Sequence, residues 1–416
     1  MRVHHYSLCL AVVFGWLLAL PQNRKAESIP NGFDFPANQT TLLNLRDAND
    51  VAGMRLHTWS VFAGMTEPTS TGEAIWETWY SVDETFGAAQ PQALEMRKLQ
   101  RSFRVPRQFQ KTGLQPQAAG TSLASFTLFS GDLRGFVRKE KLHQKSTLKK
   151  INDSFDSHTP IEKRAIPDFP NSAVALKTVW WIVKRSGLTA MPVWDPDLNP
   201  PIETGNDIGT WMRCVAVDPS RPSVPADETT QLQCNQKPAT TTRVVPLESF
   251  YHFALTEDQL KQMKAQQPNI PNLQDAMAGD FVALVALHYT TKEIPDWVWA
   301  TFWWHDKPND GRFAANRPDQ VKGVWRNYLM AESYSMDTPA EQGSGAHVAF
   351  NPWLEARFRS GVTSNCMTCH RRAVFSGKSS DSAFLPVTHG TPAKNDARFK
   401  DSTKVDFLWS VFFESH

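Results

Sequence analysis

Apolar residues gather in a few places along the chain, and their spacing predicts the main elements. Residues 9–20 (CLAVVFGWLLAL) form an almost uninterrupted apolar run that ends at Pro21. Residues 173–184 (AVALKTVWWIVK) read as a strand or a short buried helix. Residues 280–289 (DFVALVALHY) are continuously apolar over a length that suits a buried strand. Residues 297–305 (WVWATFWWH) are rich in bulky groups with high β propensity. The intervening TTKEIPD reads as a connecting loop, so the two runs predict a hairpin. On its second strand Trp297, Trp299, Thr301, Trp303 and His305 share one face, and Val298, Ala300, Phe302 and Trp304 share the other. Both faces are apolar, which places the hairpin inside a sheet rather than at its edge.

Elsewhere the pattern is weaker. Residues 27–50 read as an extended polar lead-in, and 51–90, with Trp59, Trp76, Trp79 and Tyr80, as a short packed unit. Residues 90–101 have a helical pattern, and 105–120 read as a Gln-, Pro- and Gly-rich loop. The basic stretch 134–150 reads as a solvated surface or as a docking face for an acidic redox partner. Residues 195–246, rich in Pro and Thr, suggest an irregular β region. Thr256-Glu-Asp-Gln259 has the form of a capping box, opening a helix that stops before Pro268. Residues 403–413 (TKVDFLWSVFF) predict a helix or strand packing back on the region before them. The expected fold is α+β and β-rich, with an N-terminal region (27–170) packed against a β-rich region (171–416).

The twelve-residue run 9–20 is too short to span a bilayer as a helix but suits the core of a signal peptide, residues 1–26. Ala26 is a small residue suited to cleavage, whereas Arg24 two positions earlier fits poorly, and an uncleaved anchor is the alternative. No later segment is apolar enough for a transmembrane span. Of 416 residues, 44 are Lys or Arg and 42 are Asp or Glu; cleavage after Ala26 removes Arg2, Arg24 and Lys25, leaving 41 cations against 42 acids. That balance argues against nucleic acid as the main partner. The 15 Trp and 25 Phe predict a rigid aromatic core, an aromatic-lined cavity, or both.

The five cysteines divide by position: Cys9 lies in the signal segment, Cys214 and Cys234 flank a loop, and Cys366 and Cys369 are followed by His370. In an oxidising compartment Cys214 and Cys234 read as a disulfide, the alternative being two free buried thiols. Residues 366–370, Cys-Met-Thr-Cys-His, match the C-x-x-C-H pattern of covalent haem attachment, and here the chain resembles c-type cytochromes. Two thiols three residues apart share one side of a helical turn, and the adjacent imidazole reaches the iron. The resemblance implies one covalent haem c, with Cys366 and Cys369 as thioether links and His370 as the proximal iron ligand. No βαβ unit accompanies the motif to support a thioredoxin-like redox pair. No second C-x-x-C supports zinc. Arg371 and Arg372 are candidates to pair with haem propionates or to be solvated cations.

The phrases LHYTTKEIPDWVWATFWWHD, NPWLEARF and SNCMTCH resemble a group of exported bacterial proteins described only as cytochrome c family members, over roughly residues 245–410. That resemblance carries no activity. No Met follows His370, so the downstream thioether ligand of small cytochromes c is missing. The distal candidates are His288, His305 and His389, with His252, His347, His416, Met330 and Met336 behind them. A turn centred between residues 292 and 293 would separate His288 and His305 by about 26 Å, so both cannot reach one iron. The expected function is a periplasmic or secreted monohaem c-type cytochrome that passes electrons to or from a redox partner protein. The alternatives are a haem enzyme or ligand-binding protein with an open distal site, motivated by the chain's size, and a partner-binding module that carries haem as a tethered redox group.

Overall fold

The computed structural model describes residues 25–88, 103, 123–199, 207–235, 238–266, 269–338, 348–355, 362–376 and 392–416. Most of the signal segment, the helical pattern at 90–101, the whole loop at 105–120, His347 and His389 lie outside the described residues.

A mixed α+β fold is built around one seven-stranded sheet. Its path runs β1 (Tyr80–Ser81), β2 (Ala124–Phe129), β3 (Val174–Val183), β9 (Phe281–Thr291), β10 (Val298–Trp304) and β11 (Tyr328–Ser333), all antiparallel. The short β8 (His252–Ala254) pairs with the start of β9. Every residue of β3 and β10 is buried, as their largely apolar runs require, Lys177, Thr178 and Thr301 included. The run at 173–184 is therefore a strand, and the predicted hairpin is central. Strands from both sides of residue 170 belong to this sheet, so that boundary falls between two paired strands, β2 and β3. A register shift at Val179/Trp180 leaves one extra residue on β9.

The hairpin register differs from expectation. Thr291 pairs with Val298, and His288 pairs with Thr301 rather than lying near Trp297. The connection is the longer segment 292–297, because its side chains are anchored to three different parts of the molecule instead of extending the ladder. His305 then lies four residues past the partner of His288, about 13 Å along the strand, which is still too far for both to share an iron.

Directly paired residues point to the same face, so the register defines two faces. One carries Tyr289, Phe302, Met330 and Glu332 and is covered by α2 (Val51–Thr66), which is buried nearly all round. Phe62 stacks on Phe302 at 4.1 Å, Trp59 meets it edge-on at 5.2 Å, and the Tyr289 hydroxyl donates to Thr58 O at 2.7 Å. Arg55 reaches from α2 to the buried Glu332 carboxylate at 2.8 Å. Ahead of α2 the lead-in is not fully extended: α1 (Gln39–Asp47) is capped by Asn38, whose side chain accepts from Thr40 and Thr41. The opposite face carries Lys177, His288, Trp299, Thr301 and Trp303 and is covered by the C-terminal segments.

Further elements surround the sheet. Two consecutive helices, α4 (Gly131–Lys139) and α5 (Lys145–Asp153), follow the helical turn α3 (Val82–Thr85). They bury Leu133, Val137 and Leu148 in one hydrophobic cluster with Trp299, Met367 and Trp409. Their arginines turn inward, Arg134 and Arg138 each donating to Glu84 O at 3.0 Å, while Lys139, Lys141, Lys145, Lys149 and Lys150 are exposed. A four-stranded sheet, β4 (Thr189–Val193), β5 (Arg213–Asp218), β7 (Thr240–Pro246) and β6 (Thr229–Leu232), forms the region expected to be irregular, with β5 and β7 parallel. The expected capping box opens α6 (Glu257–Gln266): Gln259 N–H donates to Thr256 Oγ1 at 3.2 Å, and Thr256 N–H to Gln259 Oε1 at 3.1 Å. Among the described residues no helix is long and apolar enough to cross a membrane.

Cys214 and Cys234 are joined as a disulfide across a separation of 20 residues, with both residues buried. Non-reducing peptide mapping of the intact protein is expected to recover them as one linked pair. Closing a loop of this length stabilises the fold by about 3 kcal/mol, so a Cys214→Ala/Cys234→Ala variant should unfold at lower urea. Recovery of both as free thiols from intact protein would contradict the link.

The buried His57 bridges two carboxylates, with Nε2 3.2 Å from Glu293 and Nδ1 3.3 Å from Asp34. Burial alone disfavours the imidazolium, but Glu293 and Asp34 outweigh it and raise the pKa from 6.5 to about 9. A raised pKa contributes stability that is fully present below pH 6.5 and is lost as pH climbs through 9, on the order of 3 kcal/mol in all. Urea midpoints measured from pH 6 to 9.5 should fall for the wild type and fall distinctly less for His57→Gln. Identical slopes would show that His57 is not the titrating group.

Candidate functional site

Residues 366–370 fold as the short helix α7 (Cys366–His370). Asn365 caps it, its Oδ1 accepting from Met367 N–H at 3.1 Å, while its Nδ2 donates to Ser335 O at 3.0 Å and Met336 O at 3.1 Å just past β11. Met367 and Thr368 are buried in the core, and the Thr368 hydroxyl approaches Met336 Sδ at 3.9 Å. Positions i, i+3 and i+4 of a helix share a face, so Cys366, Cys369 and His370 point together.

They point into a recess. His288, Glu355, Cys366, Cys369 and His370 lie deep in the chain, yet each keeps solvent-accessible surface. Side chains that are deep and still accessible border a hollow. Each lies within electrostatic reach of others in the set: Lys177 acts on His288, Glu355, Cys369 and His370, Glu355 acts on both thiols, and His370 acts on His288, so they share one neighbourhood. The floor is the row Lys177–His288–Thr301, paired side by side across β3, β9 and β10. Glu355 is held over this floor by a turn. Asn351 donates to Thr301 Oγ1 at 2.8 Å and Phe302 O at 2.9 Å, and the Asn351 backbone N–H donates to the Glu355 carboxylate.

The imidazole of His370 is oriented from behind. Nδ1 lies 2.8 Å from Phe407 O, and the ring packs on Trp299 with centroids 4.4 Å apart. A carbonyl only accepts, so Nδ1 carries the proton and Nε2 keeps a free lone pair. Burial lowers the His370 pKa to about 4, opposed by the Phe407 carbonyl and reinforced by Lys177, so the ring is neutral. A neutral imidazole with its second nitrogen committed to a carbonyl is the form that ligates metals. Burial pushes the Cys369 thiol up to about 12 and the Cys366 thiol higher still. Redox-exchange cysteines need the opposite, a lowered pKa. Among the described residues no group of three or more His, Cys, Asp or Glu side chains converges to hold a bare metal ion.

The recess fits a haem c on the chemistry of its donors. Two thiols and one neutral imidazole share a helix face, and a second imidazole, His288, borders the same hollow. Of the two following arginines, Arg371 pairs with Asp296 at 2.8 Å, and Lys394 holds the other oxygen of Asp296 at 3.0 Å. Arg372 is nearly buried, and its Nε has no hydrogen-bond partner among the described residues, so it offers a donor to a carboxylate such as a propionate.

The other candidates lie elsewhere. His305 sits in an ion-pair cluster, with Nδ1 accepting from Lys307 N–H at 3.0 Å and Nε2 3.4 Å from Arg213, which itself pairs with Asp195 and Asp306. His252 lies against Phe281 at the start of β9, and His416 lies beside His143. Met330 pairs with Phe302 and shares its face, away from the recess, whereas Met336 touches the motif helix. Sequence reasoning missed Lys177 and Glu355. The charge in the middle of the apolar run AVALKTVWWIVK was the available signal for Lys177; Glu355 carried none apart from the Asn351 turn.

Comparison with protein-family models, with curated proteins and with solved structures finds no significant match to this chain.

Proposed function

We propose that this chain is an exported monohaem c-type cytochrome, entering the periplasm or the medium through a signal peptide at residues 1–26. One observation carries the proposal: two protonated thiols and the free Nε2 of a neutral, carbonyl-anchored His370 share one face of a short helix and border one deep recess. The C-x-x-C-H resemblance supports the same group. The Cys214–Cys234 disulfide is consistent with an oxidising compartment.

Haem c supplies a one-electron ferric/ferrous couple when bound. Cys366 and Cys369 would hold it covalently, His370 would ligate the iron through Nε2, and Arg372 would neutralise carboxylate charge. The aromatic and aliphatic cluster behind the motif helix excludes water from the ligand side. A redox partner protein would exchange the electron. His288 is the distal candidate that borders the recess; burial lowers its pKa well below 6.5, with Lys177 and His370 pushing it further, so it too is neutral.

A second reading rests on Lys177 and Glu355. A carrier needs no ionisable pair beside its haem, whereas a haem enzyme uses acid–base groups there. Burial raises the Glu355 carboxyl to about 7, with the Asn351 N–H and Lys177 acting against the rise, so it can hold or release a proton near neutrality.

Haem should stay with the polypeptide through acid–acetone extraction of protein made alongside a haem-attachment system. Cys369→Ala should weaken retention or block maturation, and full release of haem from the wild type would end the cytochrome proposal. The carrier form further expects a low-spin ferric spectrum and no CO binding by the ferrous protein at neutral pH. Replacing His288 with Ala should then give a high-spin spectrum and CO binding. A wild type that is already high-spin and takes CO stoichiometrically would instead favour the enzyme or ligand-binding reading.

A further inference from the structure

We propose that Asp406 is a positioning residue for His370, acting through the carbonyl of Phe407 and tied by Lys292 and Trp297 to the loop between the two central strands. The inference rests on the haem reading above and concerns how the chain sets the electronic character of its iron ligand.

The acceptor for His370 Nδ1–H is the carbonyl of a residue in an uncommon conformation. Asp406 and Phe407 have φ of 47° and 66°, two consecutive non-glycine residues in the left-handed region. An L side chain is strained there, and the conformation persists only where the surroundings impose it. Left to ordinary backbone preferences, the pair would relax and turn the Phe407 carbonyl away from the imidazole.

The restraint is visible at the Asp406 carboxylate. Its Oδ1 accepts from Lys292 Nζ at 2.7 Å and from Trp297 Nε1 at 3.2 Å, and its Oδ2 accepts from Phe169 N–H at 3.4 Å. Lys292 is buried and is fixed in turn by Asp168 at 3.1 Å and Pro295 O at 2.9 Å. Trp297 is itself left-handed, with φ of 64°, and its ring lies 5.6 Å from the Lys292 ammonium. Three strained residues thus meet at one buried ion pair. Because Lys292 and Trp297 belong to the connection between β9 and β10, the carbonyl is held relative to the same sheet that carries His288 and Trp299.

The chemical consequence concerns the ligand's basicity. A firm Nδ1–H···O=C bond gives the imidazole more anionic character, strengthens its donation through Nε2 and favours the ferric state. Loosening the clamp should weaken that bond and raise the midpoint potential.

The test uses the haem-loaded full chain and reads two signals together: the midpoint potential, and the proton resonance of His370 Nδ1–H, which reports the bond to the Phe407 carbonyl directly. Asp406→Asn keeps the size and the tolerance of left-handed backbone but removes the charge. Lys292→Gln removes the cation, and Lys292→Arg keeps it. Trp297→Phe removes the indole hydrogen bond to Asp406 and part of a buried ring while leaving the ion pair intact, and serves where the other variants fail to fold. Asp406→Asn and Lys292→Gln should both raise the potential and shift the Nδ1–H resonance. Trp297→Phe should do so by less, and Lys292→Arg should lie closer to wild type than Lys292→Gln. Lowered melting temperatures with potential and resonance unchanged in all variants would reduce Asp406 to a structural role and overturn the inference. A wild type without covalent haem would overturn it together with the cytochrome reading, and the visible spectrum distinguishes the two failures.

Discussion

The buried ammonium of Lys292 is the interaction on which the rest of the arrangement depends. Burying a cation costs several kcal/mol unless it is closely paired, and removing one partner of such a pair typically costs about 3–5 kcal/mol. Lys292 meets Asp406 and Asp168 on one side. Its neighbour Glu293, with no exposed surface, turns the other way and accepts from Ala37 N–H at 2.8 Å, from Thr291 and from His57. Asp296 takes Arg371 of the residue pair after the motif. Three charged side chains of one six-residue connection therefore link the N-terminal helices, the β-sheet and the C-terminal segments. That is why the connection cannot be the tight turn that two adjacent apolar runs suggest.

The sheet explains why chemistry collects where it does. Most of its positions are apolar, and α2 seals one face with stacked aromatic rings. On the other face Lys177, His288 and Thr301 form a continuous polar row across three strands. Such a row is costly under a purely apolar cover. The segments that cover it bring polar groups of their own, Asn351 and Glu355 from one turn and the motif helix from another. Packing and site are thus not separable on this face: Asn351, which satisfies Thr301 of the row, also holds the Glu355 carboxylate that borders the recess.

Much of the scaffold was legible in the sequence because it depends on local pattern. The apolar run at 280–305 gave two strands, the run at 173–184 a buried element whose type stayed open between strand and helix, Thr256-Glu-Asp-Gln259 gave a helix start, and alternation sorted the residues of β10 into the two faces they occupy. The motif gave Cys366, Cys369 and His370 on one helix face. What stayed hidden depends on contacts across long separations. The hairpin register followed from where Lys292, Glu293 and Asp296 find partners more than a hundred residues away or in another layer, and no local rule reads that. Helix α1 was missed because its apolar positions are few and its start depends on the single cap Asn38. Among the imidazoles, composition could not rank His288 above His305; pairing with Thr301 and an ion cluster with Arg213 separate them.

The alternation of faces also constrains how the chain can vary in length. One residue gained or lost inside β10 would carry Thr301 and Trp299 to the side of α2 and deliver Phe302 and Ala300 to the recess. The same slip in β9 or β3 would withdraw His288 or Lys177. A bulge already absorbs one unmatched residue, at Val179/Trp180, and it lies beyond the polar row, where the reversal does no harm to the recess. Insertions and deletions in relatives of this protein should therefore fall in the outlying four-stranded sheet and the long connections, leaving the three recess-forming strands of invariant length.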